Sequence, residues 1–524
     1  MKSKNDSFII RSLSLKLPDL PIFFFIYIFI GILTIPNNFL LDDLDVCWLT
    51  RTGELIWQNG QLPTADVFSF THQGKPWVLY QWGFEFFLGG LHLLAGLGGV
   101  VWGGALLIAL TYSLLFHFLL KLGIHRGVCI GLVVITMLIN SFHWLCRPNT
   151  ASILFYTYLI IFLENHRRSP KNHTIWALPL LFLLWANVHL GFTSGLMVLL
   201  VYALGAWFFP TFFREEQQVK DCRLMLVFFL CLIATFINPY GPYLFKYLWE
   251  LSQATNMNRG ISELHSPDFH SPFFLLFALQ ICLVFLISHK TYSGRELLLV
   301  VLCLTLIMAL FSARHIPYFS IPAIIHLAYS WKARSGIENK PINLLNQHNG
   351  WGWGLTIATI CLAGVTLAHR SNLEFYDFSE KRAPKAATAF LEKNLGESSP
   401  ARIFTSGGGA QWNDYLLYKL FPRVKLFIDT RFDMYGDEFF KKFIILRQKL
   451  RCSLQPLEPW RIDFLIIEKN QGKDKNDPTD LVGWPPATFP WKLIYEDDQA
   501  MIYRNLKNAT MLPKTEPNIK YGFQ

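Results

Sequence analysis

The chain has 524 residues, 52% of them hydrophobic and only 16% charged, with a mean hydropathy of +0.30. A soluble domain of that length carries more charge and disperses its apolar residues at helix or strand period, so an ordinary soluble fold is excluded. The net charge of +10 does not point to nucleic acid, because Lys and Arg gather in short segments between apolar blocks, as in an oriented membrane protein.

The apolar blocks are about 17–25 residues long, enough to cross ~30 Å of hydrocarbon as helix. The chain starts with Lys2, Lys4, Arg11 and Lys16 ahead of an apolar run over 23–33. No small-x-small cleavage site follows, so this is read as an uncleaved first span. Eleven spans are expected, at about 20–41, 98–120, 128–145, 150–164, 175–189, 192–212, 224–238, 272–288, 296–312, 316–331 and 351–368. The block over 77–96 is interrupted by Gln81, Glu85 and His92 and reads as an amphipathic helix at the interface. With that choice, one set of loops collects Lys121, Arg126, Arg167, Arg168, Lys171, Arg214, Lys220, Arg223, Lys290, Arg295, Lys332, Arg334 and Lys340. This excess places those loops and the N-terminus in the cytoplasm of a bacterial inner membrane, in contact with its lipids. The expected architecture is an all-α polytopic membrane domain over 1–368, with a first external loop over 42–97.

The odd span count carries 369–524 to the extracytoplasmic side. Short strands (Arg402–Thr405, Lys425–Asp429, Phe464–Ile467, Lys492–Tyr495, Met501–Tyr503) alternate there with helical stretches (Lys385–Asn394, Gln411–Leu420, Glu438–Leu450), which predicts a small α/β domain. The nine cysteines are scattered without a CxxC, so neither a disulfide framework nor a zinc site is expected.

Ionisable side chains are expensive at the bilayer centre, so the polar residues at span ends are informative. The first external loop carries Asp42, Asp43, Asp45, Glu54, Asp66, His72 and Glu85. Other external span ends offer Arg147 with Asn149, Asn187 with His189, and Arg314 with His315. From Asp45, apolar residues recur at helical spacing as far as Asn59-Gly60, which predicts a helix lying along the membrane. Its acids either cap that helix, or supply a general base or a divalent-cation ligand through Asp43-Leu44-Asp45. The Glu263, His265, Asp268 and His270 loop matches no standard metal spacing but is long enough to cover a site.

The run Asp45, Gly60, Pro63 and Lys75-Pro76-Trp77-Val78-Leu79-Tyr80-Gln81-Trp82 resembles the first external loop of GT-C glycosyltransferases, the polyprenyl-phosphate-sugar-dependent membrane enzymes. Val46 stands where many members carry Glu, and a single Pro76 replaces their Pro pair. The resemblance covers roughly the first 170 residues. It implies a GT-C fold and transfer of a sugar from a polyprenyl-phosphate donor to an extracytoplasmic glycan, lipid or protein. It places the catalytic Asp, the general base, at Asp45, with Asp43 in support or coordinating a cation. Arg147, Arg314, His315, Lys75, His189 and Glu85 are then the candidates for donor phosphate or substrate. In the tail, Ser406-Gly-Gly-Gly409 and Asp429-Thr-Arg431-Phe-Asp433 follow predicted strands. Asp429, Arg431 and Asp433 form either a salt-bridged turn or a contact with acceptor or lipid. A transporter or flippase of lipid-linked sugars, and a non-catalytic scaffold of the same fold, are the rival readings; the absence of repeats and of mid-span charges argues against the transporter.

Overall fold

The computed structural model describes residues 20–35, 39–169, 173–210, 222–287, 295–335, 376–396, 400–406, 410–450, 455–469 and 490–508. The expected span at 351–368 and the Gly407–Gly409 turn lie outside them.

The helices in chain order are α1 (Leu20–Thr34), α2 (Asp45–Asn59), α3 (Trp82–Lys121), α4 (Arg126–Asn140), α5 (Pro148–Arg168), α6 (Leu178–Ala186), α7 (Phe192–Phe208) and α8 (Arg223–Ala234). They continue as α9 (Tyr243–Ser252), α10 (Thr255–Gly260), α11 (Pro272–Leu286), α12 (Arg295–Phe311) and α13 (Ile316–Ser335). A helix therefore occupies each of the ten proposed span intervals within the described residues. Among the described residues, two stretches, Trp82–Lys121 and Arg126–His143, are long and apolar enough by themselves to cross a membrane.

Helix α3 is two helices joined at a kink. Ala95 and Gly96 leave helical geometry, Gly96 with φ +58°, between the 77–96 block and the apolar run from 98. Helix α2 crosses the first half of α3 at Gly53 and Gly89, where a Cβ on either residue would overlap backbone of the other helix. Asn59-Gly60 ends α2 as expected, with Gly60 in the left-handed region (φ +65°) and its N–H bonded to the Ile56 carbonyl.

One loop charge is corrected. Arg167 reads in the sequence as a cytoplasmic loop cation, but α5 continues through Arg168 and turns Arg167 inward, where it is 3% exposed. It pairs with Glu164 at 2.8 Å, and Glu164 also accepts hydrogen bonds from Tyr202 and Tyr329.

The C-terminal region folds as β1 (Ala401–Thr405), β2 (Val424–Leu426), β3 (Phe464–Glu468), β4 (Trp491–Glu496) and β5 (Ala500–Asn505), with helices α14 (Lys385–Asn394), α15 (Gln411–Leu420), α16 (Phe432–Tyr435) and α17 (Asp437–Lys449). The second strand stops at Leu426, short of the expected Asp429. Strand order is β2-β1-β3-β5-β4, parallel across β2, β1 and β3 and antiparallel beyond. Alternate residues face opposite ways: Ile403, Phe464, Ile466 and Ile502 join the core shared with the helices, whereas Phe404, Leu465, Ile467 and Tyr503 form a second core with Phe427, Phe443 and Leu457.

The sheet unit and the first loop are joined along the β2 edge. Phe70 donates to the Leu426 carbonyl at 3.0 Å, and Leu426 donates to Phe68 at 3.1 Å. Thr71 Oγ1 reaches the Phe427 carbonyl at 2.7 Å, and helix α15 packs on α2. This docking carries residues of the 410–433 segment to the start of α2.

Candidate active site

The site begins at the N-terminus of α2. Asp43 Oδ1 accepts from the Asp45 N–H at 3.0 Å, so Asp43 does cap the helix. Its other oxygen accepts from Arg147 at 2.7 Å, while Asp45 Oδ2 pairs with the same guanidinium at 2.8 Å. Arg147 reaches them because Pro148 is the first residue of α5: a proline there starts the helix and pushes the preceding residue into extended backbone, here φ −121°, ψ 157°.

Two short turns complete the cluster. Glu263, in a 3-10 turn at Ser262–Leu264, lies 3.4 Å from Arg147 and forms an ion pair with Arg314. Arg314 sits in the Ala313–His315 turn between α12 and α13. The turns are latched together by Ala313 N–H to the His265 carbonyl (2.9 Å) and Ser312 Oγ to the Glu263 carbonyl (3.1 Å). The C-terminal region closes the remaining side. Gln411 donates to Asp43 at 3.3 Å, and Asp414 accepts from the Thr430 N–H at 3.2 Å, with the Thr430 side chain beside Asp45.

Three carboxylates thus face two guanidiniums in a half-buried setting. Burial, then the charge of Asp43, push Asp45 up to about 7 against the pull of Arg147. Burial works to raise Glu263 as well, but Arg147 and Arg314 together hold it down at about 2. Burial also raises Asp414 well above its ordinary value, with Asp45 and Asp429 adding to it. One carboxyl poised near neutrality among permanently charged partners is the arrangement a general base requires.

His315 lies beside Arg314 with no partner for Nδ1, and burial and that guanidinium lower it to about 4. His189 is held by Ser152 at 2.8 Å and by the Gly191 N–H at 3.1 Å, within electrostatic reach of Arg314 and Arg147. Lys75 is exposed on the turn of the first loop and forms no bond with the cluster among the described residues. Asp429 and Arg431 are buried together: Arg431 pairs with Asp429 and Asp66 at 2.6 Å each and stacks over Trp77 and Phe68, anchoring the sheet unit to the first loop. Asp433 instead accepts from Tyr247 at 2.7 Å. Glu85 is fully buried, and burial raises it well above its ordinary value against the opposing pull of the Gln81 side chain.

Sequence reading missed Glu263 as a site residue, along with Gln411, Asp414 and Thr430. Their only signal was an acid in a loop long enough to cover a site and a helix following a strand. Among the described residues no group of three or more His, Cys, Asp or Glu is arranged to hold a metal. Arg147 occupies the position between Asp43 and Asp45 that a bridging cation would take.

No protein-family model and no curated protein matches the chain. Solved structures do. Archaeal oligosaccharyltransferase AglB from Archaeoglobus fulgidus, in complex with an inhibitory peptide and a dolichol-phosphate, is similar with a TM-score of 0.50 and 9% identity over 82% of this chain and 66% of that one. The apo form of the A. fulgidus oligosaccharyltransferase gives a TM-score of 0.50 and 9% identity over 85% and 69%. The same enzyme tethered to an acceptor peptide containing the NVT sequon gives 0.47 and 10% over 82% and 65%. The chain spans about two thirds of the length of these neighbours. At this identity the likeness speaks for architecture alone: the chain shares the GT-C fold seen in the A. fulgidus oligosaccharyltransferase.

Proposed function

We propose that the chain is an integral membrane glycosyltransferase that moves a sugar from a polyprenyl-phosphate donor to an extracytoplasmic acceptor. The observation that carries this reading is the convergence of Asp45, Asp43, Arg147, Glu263 and Arg314, from four separated segments, on one half-buried cluster. The neighbour AglB holds a dolichol-phosphate, and a lipid phosphate is the donor chemistry proposed here. The chain would lie in a bacterial inner membrane with its N-terminus in the cytoplasm and its sheet unit outside.

Asp45 removes the proton from the acceptor hydroxyl as that oxygen attacks the anomeric carbon. The bond from that carbon to the phosphate oxygen breaks, the lipid phosphate leaves with the electron pair, and the anomeric centre inverts. Asp45 then returns its proton to solvent. Arg314 is the better phosphate ligand, because its acidic neighbour is Glu263 and 31% of its side chain stays exposed. Arg147 faces three acids, so its role is to hold Asp43 and Asp45 in place. The donor set does not fit a cation between those carboxylates, and no step is routed through one.

The test is complementation of a deletion strain with Asp45→Asn, scored by mass spectrometry of surface glycans, lipid A and glycoproteins. Loss of one sugar mass at normal protein level is expected, a general base being worth about 100- to 10,000-fold. Full complementation by Asp45→Asn would remove Asp45 as the base and favour a scaffold.

A further inference from the structure

We propose that Ser152 is a positioning residue of the transfer reaction: with Trp185 and the Gly191 N–H it fixes His189 in one tautomer, whose Nε2–H serves the leaving phosphate beside Arg314. The proposal rests on the glycosyltransferase reading above.

Hydrogen-bond chemistry assigns the tautomer. Trp185 Nε1 lies 2.6 Å from Ser152 Oγ, and an indole N–H can only donate, so the serine oxygen accepts from it. The Ser152 proton is then available to His189 Nδ1, 2.8 Å away. The Gly191 N–H, also a donor only, reaches the same Nδ1 at 3.1 Å. Nδ1 therefore accepts and carries no hydrogen, which puts the ring proton on Nε2 and leaves the imidazole neutral.

Packing holds this arrangement and places it. Trp185 and Ser152 are both 0% exposed. A Cβ on Gly191 would stand 2.4 Å from the Tyr318 hydroxyl, 2.6 Å from Ser152 Oγ and 3.0 Å from His189 Nδ1, so these groups converge on one point that only glycine leaves open. Tyr318 lies in the first turn of α13, shortly after Arg314, and its carbonyl accepts from Tyr156 at 2.8 Å. Ser152 and Tyr156, one turn apart on α5, thus face the start of α13, and His189 is set against the helix end that carries Arg314. His189 itself is half-buried. Buried Ser152 and Gly191 cover its Nδ1 edge, and Nε2 has no protein partner among the described residues.

A neutral N–H of fixed direction suits a phosphoryl oxygen that gains charge as the bond to the anomeric carbon breaks. It donates a hydrogen bond and transfers no proton, so the proton taken up by Asp45 is unaffected. Donors held in place before charge develops stabilise the transition state more than donors that must reorient. Being neutral, His189 also adds no third cation to compete for Asp43, Asp45 and Glu263.

Two measurements test this. Solid-state NMR of the full-length protein in nanodiscs, with histidine labelled in nitrogen-15, reads the tautomer; the signal missing from His189→Asn identifies His189. Wild type should show a bare, hydrogen-bonded Nδ1 and a protonated Nε2, and Ser152→Ala should bring in the other tautomer. A protonated Nδ1 in wild type, or an unchanged spectrum in Ser152→Ala, overturns the proposal. The second measurement follows accumulation of the sugar mass that depends on Asp45. His189→Asn keeps an acceptor for Ser152 and Gly191 but loses the outward N–H. It should slow transfer about 100- to 1,000-fold with the melting temperature unchanged. His189→Gln, whose amide N–H lies where Nε2–H does, should retain more. Wild-type transfer in His189→Asn, or more transfer in His189→Asn than in His189→Gln, overturns the role of Nε2–H. Failure of the transferase reading looks different: Asp45→Asn still complements, whatever tautomer His189 shows.

Discussion

Arg431 carries the sharpest structural prediction. Its side chain is 0% exposed; Nη2 lies 2.6 Å from both Asp66 and Asp429, Nε lies 2.8 Å from Asp429, and the guanidinium carbon sits 4.4 Å from the Trp77 ring centroid. Arg431→Ala leaves two carboxylates buried without their counter-charge. Burial alone would raise Asp66; Arg431 is the largest factor holding it below its ordinary value. Removing one partner of such a buried group costs about 3–5 kcal/mol, or roughly 150- to 4,000-fold in an opening equilibrium at about 1.4 kcal/mol per tenfold. The contact at risk is the junction of the first loop with β2, where the Phe70 and Leu426 amides donate across the seam. Hydrogen exchange read by mass spectrometry should show protection of the peptides carrying those amides falling by that factor. Adding Asp66→Asn and Asp429→Asn to Arg431→Met should recover much of it, because no buried charge is then left alone. Unchanged protection in Arg431→Ala would refute the view that this triad holds the sheet unit in place.

The pH dependence of Asp45 follows from its position near 7. A base must be ionised, so kcat/KM should fall about tenfold per pH unit below about 7 and level off above it, a step that Asp45→Asn removes. The stability effect has the opposite sense. A carboxyl raised in the folded state above its ordinary 3.8 favours folding when protonated, so that contribution is complete below pH 3.8 and is lost as pH rises through about 7; melting temperatures of wild type and Asp45→Asn across that window check it. Arg314→Ala should weaken donor binding about tenfold or more with the melting temperature little changed, and Arg314→Lys should recover part of it; equal donor binding in all three forms would exclude Arg314 as the phosphate ligand. Gly53→Ala forces a methyl group into the Glu85 carbonyl and should cost about 1–3 kcal/mol, read as a lower melting temperature; wild-type stability would mean that α2 and α3 are not in backbone contact.

Much of the fold was legible because its rules are local. Acid-start and Asn59-Gly60 stop signals bounded α2, apolar block length placed a helix in every described span interval, and the alternation of short apolar runs with helical stretches located all five strands to within a few residues. Asp43, Asp45, Arg147 and Arg314 could be picked out because polar residues at the ends of apolar blocks are scarce and therefore conspicuous. Their meeting could not be. Asp43 and Arg147 are 104 positions apart, and Glu263 is another 116 beyond. Which charges share a site depends on how helices cross, and α2 meets α3 closely only because two glycines coincide at that crossing.

Burial divided charges that look alike in sequence. Arg167 reads as a loop cation and is inside with Glu164. Arg431 and Asp433 are two residues apart, yet one is locked between carboxylates and rings and the other accepts a hydrogen bond from Tyr247. The sequence determined where chain segments become helix or strand, because backbone geometry and hydrophobic period act over a few residues. Only the tertiary structure decided which acid is poised near neutrality, because a carboxyl's proton affinity depends on the water it loses and on charges brought to it from distant segments.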